Sequence, residues 1–444
     1  MAQHPQKPST LWVAVDKRLF KSSNSGNTFG EINTGKVRFE SIFVSRADGK
    51  VLYNPVGYGT IYYSHDGGST WFPGKVDQTL CCRHSGGWAQ GLDTHPANPM
   101  KALACFGDRL FVTTDGGMTW SDSSTGWTGT RSVSRSSFYF HPTDKRVIGI
   151  GSLDWGFFYT VNGGDTWRYC WAQGVPPTRS VLALLLDPTS NWQSDNGFQR
   201  ILAYSGGWKE QILIRSEDGG AWKIPSEGRQ SWTVYKNIVR KGRLAAYNPK
   251  HPGMVYMGQQ KSLDWGTTWK QMAQPADACC FSNPDILYSI HKYDDGTGLM
   301  RSSDCGTTWQ ELRGHLKQTI SDIEVMPDNP ECICAATDGG IAIWKGEEWK
   351  LSRTESGLTR DVFGNLNFSS IAIDPKNPER IFAGAWTDYF GNSSGVWASC
   401  DRGATWSNIS YNLGPMSVWA VAVNPHDGSV YIGTSYGHWV LQKW

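Results

Sequence analysis

The chain has 444 residues, with 42 Lys and Arg against 40 Asp and Glu and a net charge of +2. That balance excludes the basic footprint of a nucleic-acid-binding surface, and no apolar run reaches the roughly 18 residues of a membrane span. Fifty Gly, 21 Pro and 23 Trp with 18% charged residues describe a turn-rich, aromatic chain with ample core material, neither helical nor disordered.

The first ten residues, MAQHPQKPST, carry no apolar stretch of the kind a secretory signal needs. They read as a lead segment before the first strand, LWVAVD from Leu11, and imply synthesis in the cytoplasm. From Ser22 onward one eight-residue phrase recurs: Ser or Thr, any residue, Asp or Asn, any residue, Gly, any residue, Thr, aromatic. It reads SSNSGNTF at 22–29, SHDGGSTW at 64–71, TTDGGMTW at 113–120 and TVNGGDTW at 160–167. It returns as SLDWGTTW at 262–269, SSDCGTTW at 302–309 and SCDRGATW at 399–406. Shortened copies, SEDGGAW at 216–222 and KGEEW at 345–349, fill the gaps, and Trp444 stands at the equivalent place. Successive closing aromatics lie 38 to 57 residues apart, the period of a four-stranded propeller blade.

A second marker runs in step. Short apolar runs end in a Pro turn at Pro96, Pro142, Pro188, Pro249, Pro284, Pro327, Pro375 and Pro425. A further strand follows each, such as VIGIG, ILAYS or VYIGT. Each unit therefore reads as four short antiparallel strands, A to D, with the Pro turn joining A to B and the recurrent phrase joining C to D. The Asp or Asn of the phrase can accept backbone N–H groups further along the turn, Gly supplies a backbone angle other residues resist, and the Trp is expected between neighbouring blades. Asp66, Asp115, Asp218, Asp264, Asp304 and Asp401 are thereby expected to be scaffold rather than catalytic acids or calcium ligands.

The phrase resembles the Asp-box, or bacterial-neuraminidase repeat. Over nearly its whole length the chain is similar to the β-propellers of sialidases, oligoxyloglucan hydrolases, sortilin-type receptors and photosystem II assembly factors. The resemblance implies an all-β fold: a single large β-propeller of nine to ten four-stranded blades over residues 11–444, behind a lead segment at 1–10 and closed by the N- and C-terminal strands. It implies no one function, because the same repeat serves hydrolases, receptors and assembly factors. Neither the Arg-Ile-Pro motif of sialidases nor the Asp-Val-Gly-Gly phrase of oligoxyloglucan hydrolases occurs, so no catalytic set transfers.

Strand alternation puts the short A–B and C–D turns on one face and the variable B–C and D–A loops on the other, where function is expected. The second face is rich in aromatics. His84, Trp88, Trp155, Trp208, Trp386 and Tyr389 are the candidate ligand-binding residues, since flat rings beside polar groups suit sugar rings. Trp127, Trp171, Trp192 and Trp232 sit in or near long loops. Asp108, Asp154 and Asp388, with Asp294 and Asp295, are the candidate acids if the protein hydrolyses glycosides, which takes two carboxyl groups across the scissile bond. The ten Cys show no C-x-x-C and no zinc-type Cys/His spacing, so no metal and no cofactor is expected, and buried small side chains or scattered disulfides account for them. The leading expectation is a non-catalytic propeller binding glycan or protein, as a subunit of a larger assembly such as a virion. A glycoside hydrolase and a protein-binding assembly factor are the alternatives. Neither nucleic acid nor membrane insertion is expected.

Overall fold

The computed structural model describes residues 1–56, 60–76, 89–106, 109–123, 135–152, 156–165, 167–170, 180–192, 199–206, 211–217, 232–235, 242–361, 364–386, 395–410, 417–434 and 437–441. They form ten small sheets, and the only helical elements among them are two single 3-10 turns, Arg135–Ser137 and Thr354–Ser356. Eight sheets have four strands in sequence order, the third takes a fifth strand, and the tenth has three. Consecutive strands pair antiparallel throughout, as in Leu287–Tyr293 with Gly296–Ser302 in sheet seven. The expected A–B–C–D repeat is thus present, and the lead segment adds a strand the sequence reading did not assign: Ala2–Gln3 pairs with Leu11–Val15 in sheet one.

The recurrent phrase forms the expected self-sufficient turn. In sheet seven the Ser302 hydroxyl donates to Asp304 Oδ1 and accepts the Gly306 N–H, each at 2.8 Å. Asp304 Oδ1 accepts the Thr307 and Thr308 N–H groups at 3.0 and 2.8 Å, and Oδ2 accepts the Thr308 hydroxyl at 2.6 Å. In the turns built on Asp66, Asp264 and Asp401 the carboxylate likewise accepts the N–H and the hydroxyl of the Thr at the seventh place, and Asn24 accepts the Thr28 N–H. Two left-handed residues in succession close each turn. The fifth is always Gly, as at Gly306 with φ 77°, whereas the fourth is Gly116 in one turn and Cys305 (φ 58°), Trp265 (φ 54°) or Arg402 (φ 55°) in others. In three turns the closing Trp folds back so that its indole N–H reaches the Gly carbonyl: Trp71 to Gly68, Trp309 to Gly306 and Trp406 to Gly403.

The chain falls into two compact units, Met1–Gly129 and Thr130–Trp444. The first holds sheets one to three, joined by a cluster around Trp12, Leu19 and Leu52 and another around Tyr53, Ile61, Phe111 and Trp120. The second holds sheets four to ten. Apolar clusters join sheets four, five and six, then six with seven, seven with eight, eight with nine and nine with ten. A further cluster brings Phe138, Ile148 and Ile150 of sheet four against Ala420, Ala422 and Tyr431 of sheet ten. His426 Nε2, in the first turn of sheet ten, lies 2.6 Å from the His141 carbonyl of sheet four. Among the described residues Cys280, Cys305, Cys332, Cys334 and Cys400 are free thiols, and Cys280, Cys332 and Cys334 are buried among apolar neighbours.

Candidate functional site

Antiparallel order puts the B–C and D–A loops of every sheet at one end of its strands. Of the residues singled out there, His84, Trp88, Asp108, Asp154, Trp155, Trp208, Asp388 and Tyr389 lie outside the described residues. Trp386, Asp294 and Asp295 are described, and so is Trp192. The last is a core residue, 3% exposed, with its indole N–H on the Asp187 carbonyl at 2.8 Å and its ring edge-on to Tyr159.

Trp386 directly follows the second strand of sheet nine, Ile381–Ala385, and its N–H donates to the Asn367 carbonyl at 3.0 Å. Its ring meets that of Trp419, on the first strand of sheet ten, with centroids 5.4 Å apart and planes at 53°. Both indoles are half-buried, so each keeps open surface at the loop end. Beside them Ser369 donates to the Val418 carbonyl at 2.5 Å. Sequence reasoning missed Trp419. It sits inside the apolar run VWAVAV, where it reads as one more core position; only the register that pairs Val418 with Thr434 shows it at a strand end.

A second cluster lies in sheet seven. Asp294 and Asp295 form the two-residue turn between Leu287–Tyr293 and Gly296–Ser302. Gly296 has φ 151°, and a Cβ there would fall 2.1 Å from the Leu316 carbonyl oxygen, so the close approach of the following loop demands Gly. That approach is fixed by two backbone bonds of 2.8 Å between Thr297 and Leu316. It brings His315 onto the Tyr293 ring at 4.0 Å, with planes 13° apart. His315 Nδ1 meets Asp295 Oδ1 at 2.6 Å and Nε2 meets Glu311 Oε1 at 3.1 Å. The Asp295 hydrogen bond, helped by Glu311, holds the imidazole above its ordinary pKa. Asp295 and Glu311 thus clasp one imidazole between them, and no gap for a sugar ring separates the two carboxylates.

Two further carboxylates are buried near the starts of first strands. Asp277 accepts the Arg243 N–H at 3.0 Å and the Ile290 N–H at 2.8 Å. Burial, with the charge of Asp322 adding to it, pushes Asp277 up to about 6 against those two donors. Asp322 sits at a bulge in Ile320–Met326 and accepts the Ser370 hydroxyl at 2.9 Å; Ser370 in turn accepts the Val421 N–H at 3.1 Å. This chain of polar links ties the first strands of sheets eight, nine and ten. Both acids are engaged with backbone of adjoining strands, which makes them scaffold. Neither is recognisable from the sequence, because nothing marks a buried acceptor in a short strand.

No family profile matches the chain. Among curated proteins it is 25% identical to the xyloglucanase Xgh74A of Acetivibrio thermocellus over 291 residues, 59% of this chain and 30% of that protein. It is 23% identical to the oligoxyloglucan-reducing end-specific xyloglucanase of Emericella nidulans over 91% of this chain and 48% of that one. The chain therefore spans no more than about half the length of these curated relatives. Among solved structures it is similar to the GH74 xyloglucanase of Xanthomonas campestris, with 14% identity, a TM-score of 0.38, and 98% of this chain and 75% of that one covered. It is similar also to YCF48 from Cyanidioschyzon merolae, with 13% identity, a TM-score of 0.46, and 70% and 95% covered. The fold of the described residues is all-β, built of ten small antiparallel sheets, and the comparisons fix no single family. Among the described residues no helix is long and apolar enough to cross a membrane.

Proposed function

We propose that the chain is a non-catalytic recognition propeller that binds a glycan of the xyloglucan class at the loop end of its sheets. The observation that carries this reading is the half-buried Trp386–Trp419 pair, two tilted rings at the loop end flanked by the Ser369 hydroxyl. Such a platform suits the apolar face of a sugar ring with a polar group at its rim. The names of the curated relatives support the choice of ligand class. Hydrolysis of the same glycan is the second reading, favoured by those names alone. Against it, the described acids of sheet seven grip His315, and Asp277 and Asp322 are held by backbone or hydroxyl donors. A protein ligand, or a place in a larger assembly, uses the same loop end.

The finer architecture belongs to this proposal. The repeat period alone suggests one ring of about ten four-stranded blades. The packing of Phe138 against Tyr431, which brings sheet four to sheet ten, speaks for a seven-sheet circuit within the second unit, with sheets one to three as an arc of their own.

Titration of the full chain with xyloglucan oligosaccharides, followed by calorimetry, tests the reading. Wild type is expected to bind and Trp386→Ala to bind roughly tenfold more weakly, the equivalent of about 1.4 kcal/mol. Equal affinity in the two proteins would remove the Trp pair from the site.

A further inference from the structure

The turn edge of the sheets carries a repeated seam. At Trp265, Cys305 and Arg402 the fourth residue of the recurrent turn stands beside the first turn of its own sheet and that of the preceding sheet. In sheet nine this residue is Arg402. Its N–H donates to the Glu379 carbonyl at 3.1 Å, its Nε holds the Glu379 carboxylate at 2.8 Å, and its terminal nitrogen holds Asp328 of sheet eight. A cationic group is thus clamped between one carboxylate of its own sheet and one of the sheet before.

Sheet seven has the same backbone and different side chains. The Cys305 N–H donates to the Asp285 carbonyl at 3.0 Å, as Arg402 does to Glu379. Around it stand the Cys305 thiol, the Asp285 carboxylate and, from the first turn of sheet six, the His251 imidazole. His251 Nε2 lies 3.1 Å and Cys305 Sγ 3.2 Å from Asp285 Oδ1, and the three donor atoms all fall within 4.8 Å of one another. Three ligand types from three separate turns converge where the neighbouring seam holds a cation. Lys250 does not fill that role: its ammonium is 3.4 Å from Asp285 Oδ2, on the other carboxylate oxygen, and 2.5 Å from Asn283 Oδ1. Lys261, the other nearby cation, is bound to the Cys305 carbonyl at 2.8 Å.

We propose that His251, Asp285 and Cys305 form a site for one divalent zinc ion that staples sheet six to sheet seven. Zinc takes imidazole nitrogen and carboxylate oxygen at about 2.0–2.2 Å and thiolate at about 2.3 Å in a tetrahedron, so its ligand atoms stand roughly 3.3–3.5 Å apart. The two separations from Asp285 Oδ1 need to open by a few tenths of an ångström, and His251 Nε2 and Cys305 Sγ, within 4.8 Å of each other, close to about 3.5 Å through side-chain rotation as the metal enters. Binding is a proton exchange without redox change. The thiol proton leaves to solvent as sulfur takes the metal, and His251 binds as the neutral ring through Nε2 with its proton on Nδ1. Thiolate, carboxylate and zinc sum to zero charge, and solvent completes the fourth position. Asn248 Nδ2 donates to Asp285 Oδ1 at 2.8 Å and fixes the orientation of the carboxylate. Sequence spacing hides the site because its ligands lie at 251, 285 and 305, in no short motif.

Cobalt titration of the reduced full chain is the test, since tetrahedral cobalt bound to thiolate absorbs in the near ultraviolet. Wild type is expected to take one cobalt per chain with that band, to release it to zinc, and to melt at higher temperature with zinc than without. Cys305→Gly keeps the fold, because Gly116 stands at the same place in another turn with φ 73°, and it is expected to lose both the band and the zinc-dependent melting shift. His251→Ala is expected to weaken zinc binding more than about tenfold. The proposal is overturned if wild type gives no thiolate–cobalt band, or if the band survives in Cys305→Gly, which would assign it to another cysteine.

Discussion

Ser302 and Asp304 share one turn, yet their removal is expected to cost different amounts. Ser302 is 1% exposed, and its hydroxyl is the acceptor for the Gly306 N–H, which is itself buried. Ser302→Ala leaves that N–H without a partner and out of reach of water, at a cost of about 2 kcal/mol. Asp304 accepts more bonds, but its partners at Thr307 and Thr308 are exposed, so water replaces them and Asp304→Ala costs nearer 1 kcal/mol. Burial raises the Asp304 carboxyl, but the Thr308 and Ser302 bonds outweigh it and bring the group down to about 2. A depressed carboxyl contributes stability above its unfolded value of about 3.9, and that contribution is lost as pH falls toward 2. Asp304→Asn retains the turn, as Asn24 does in sheet one, and is expected to remove this pH dependence at little cost at neutral pH. Hydrogen exchange at the Gly306 and Thr308 amides reads both effects locally, which avoids treating a two-unit chain as a two-state system. A larger loss of Gly306 protection in Asp304→Ala than in Ser302→Ala would refute the argument that burial of the acceptor, rather than the number of bonds, sets the cost.

Three further outcomes are expected. Gly296→Ala drives a Cβ into the Leu316 carbonyl and should destabilise by roughly 3 kcal/mol, with lost protection of Thr297 as the local sign. Tyr431→Ala, which opens the joint between sheets four and ten, should cost about 3–5 kcal/mol in chemical denaturation; a cost under about 1 kcal/mol would show that the joint carries no load. His315 has its pKa raised by Asp295 and Glu311, so its contribution is fully present below about 6.5 and lost as pH rises through the higher folded value. Protection of Thr297, corrected for the intrinsic rise of amide exchange with pH, should therefore fall as pH rises through that value in wild type and lose this dependence in His315→Gln.

The repeat was legible because its chemistry is local. Ser302, Asp304, Gly306 and Thr308 lie within seven residues, and the bonds they make are the ones their types suggest. Strand order followed from the same period. What the sequence could not show is contact across sheets. The Tyr431–Phe138 joint spans nearly 300 positions, and the Trp386–Trp419 and His251–Asp285–Cys305 groupings depend on which turns lie side by side. Trp192 illustrates the converse. A Trp in a Pro- and Ser-rich stretch reads as loop, but the Asp187 carbonyl draws its indole N–H inward and the ring fills a gap beside Tyr159. Periodicity fixes a fold whose units are alike, and is silent on the positions where they differ.

The most direct test of glycan recognition without cleavage is incubation of the full chain with xyloglucan and its oligosaccharides, followed by mass spectrometry of both the retained ligand and the free sugars. Retained oligosaccharide of unchanged length is expected, with retention sharply reduced in Trp386→Ala. Shortened products from wild type, or retention that Trp386→Ala leaves intact, would overturn recognition without cleavage at the Trp pair.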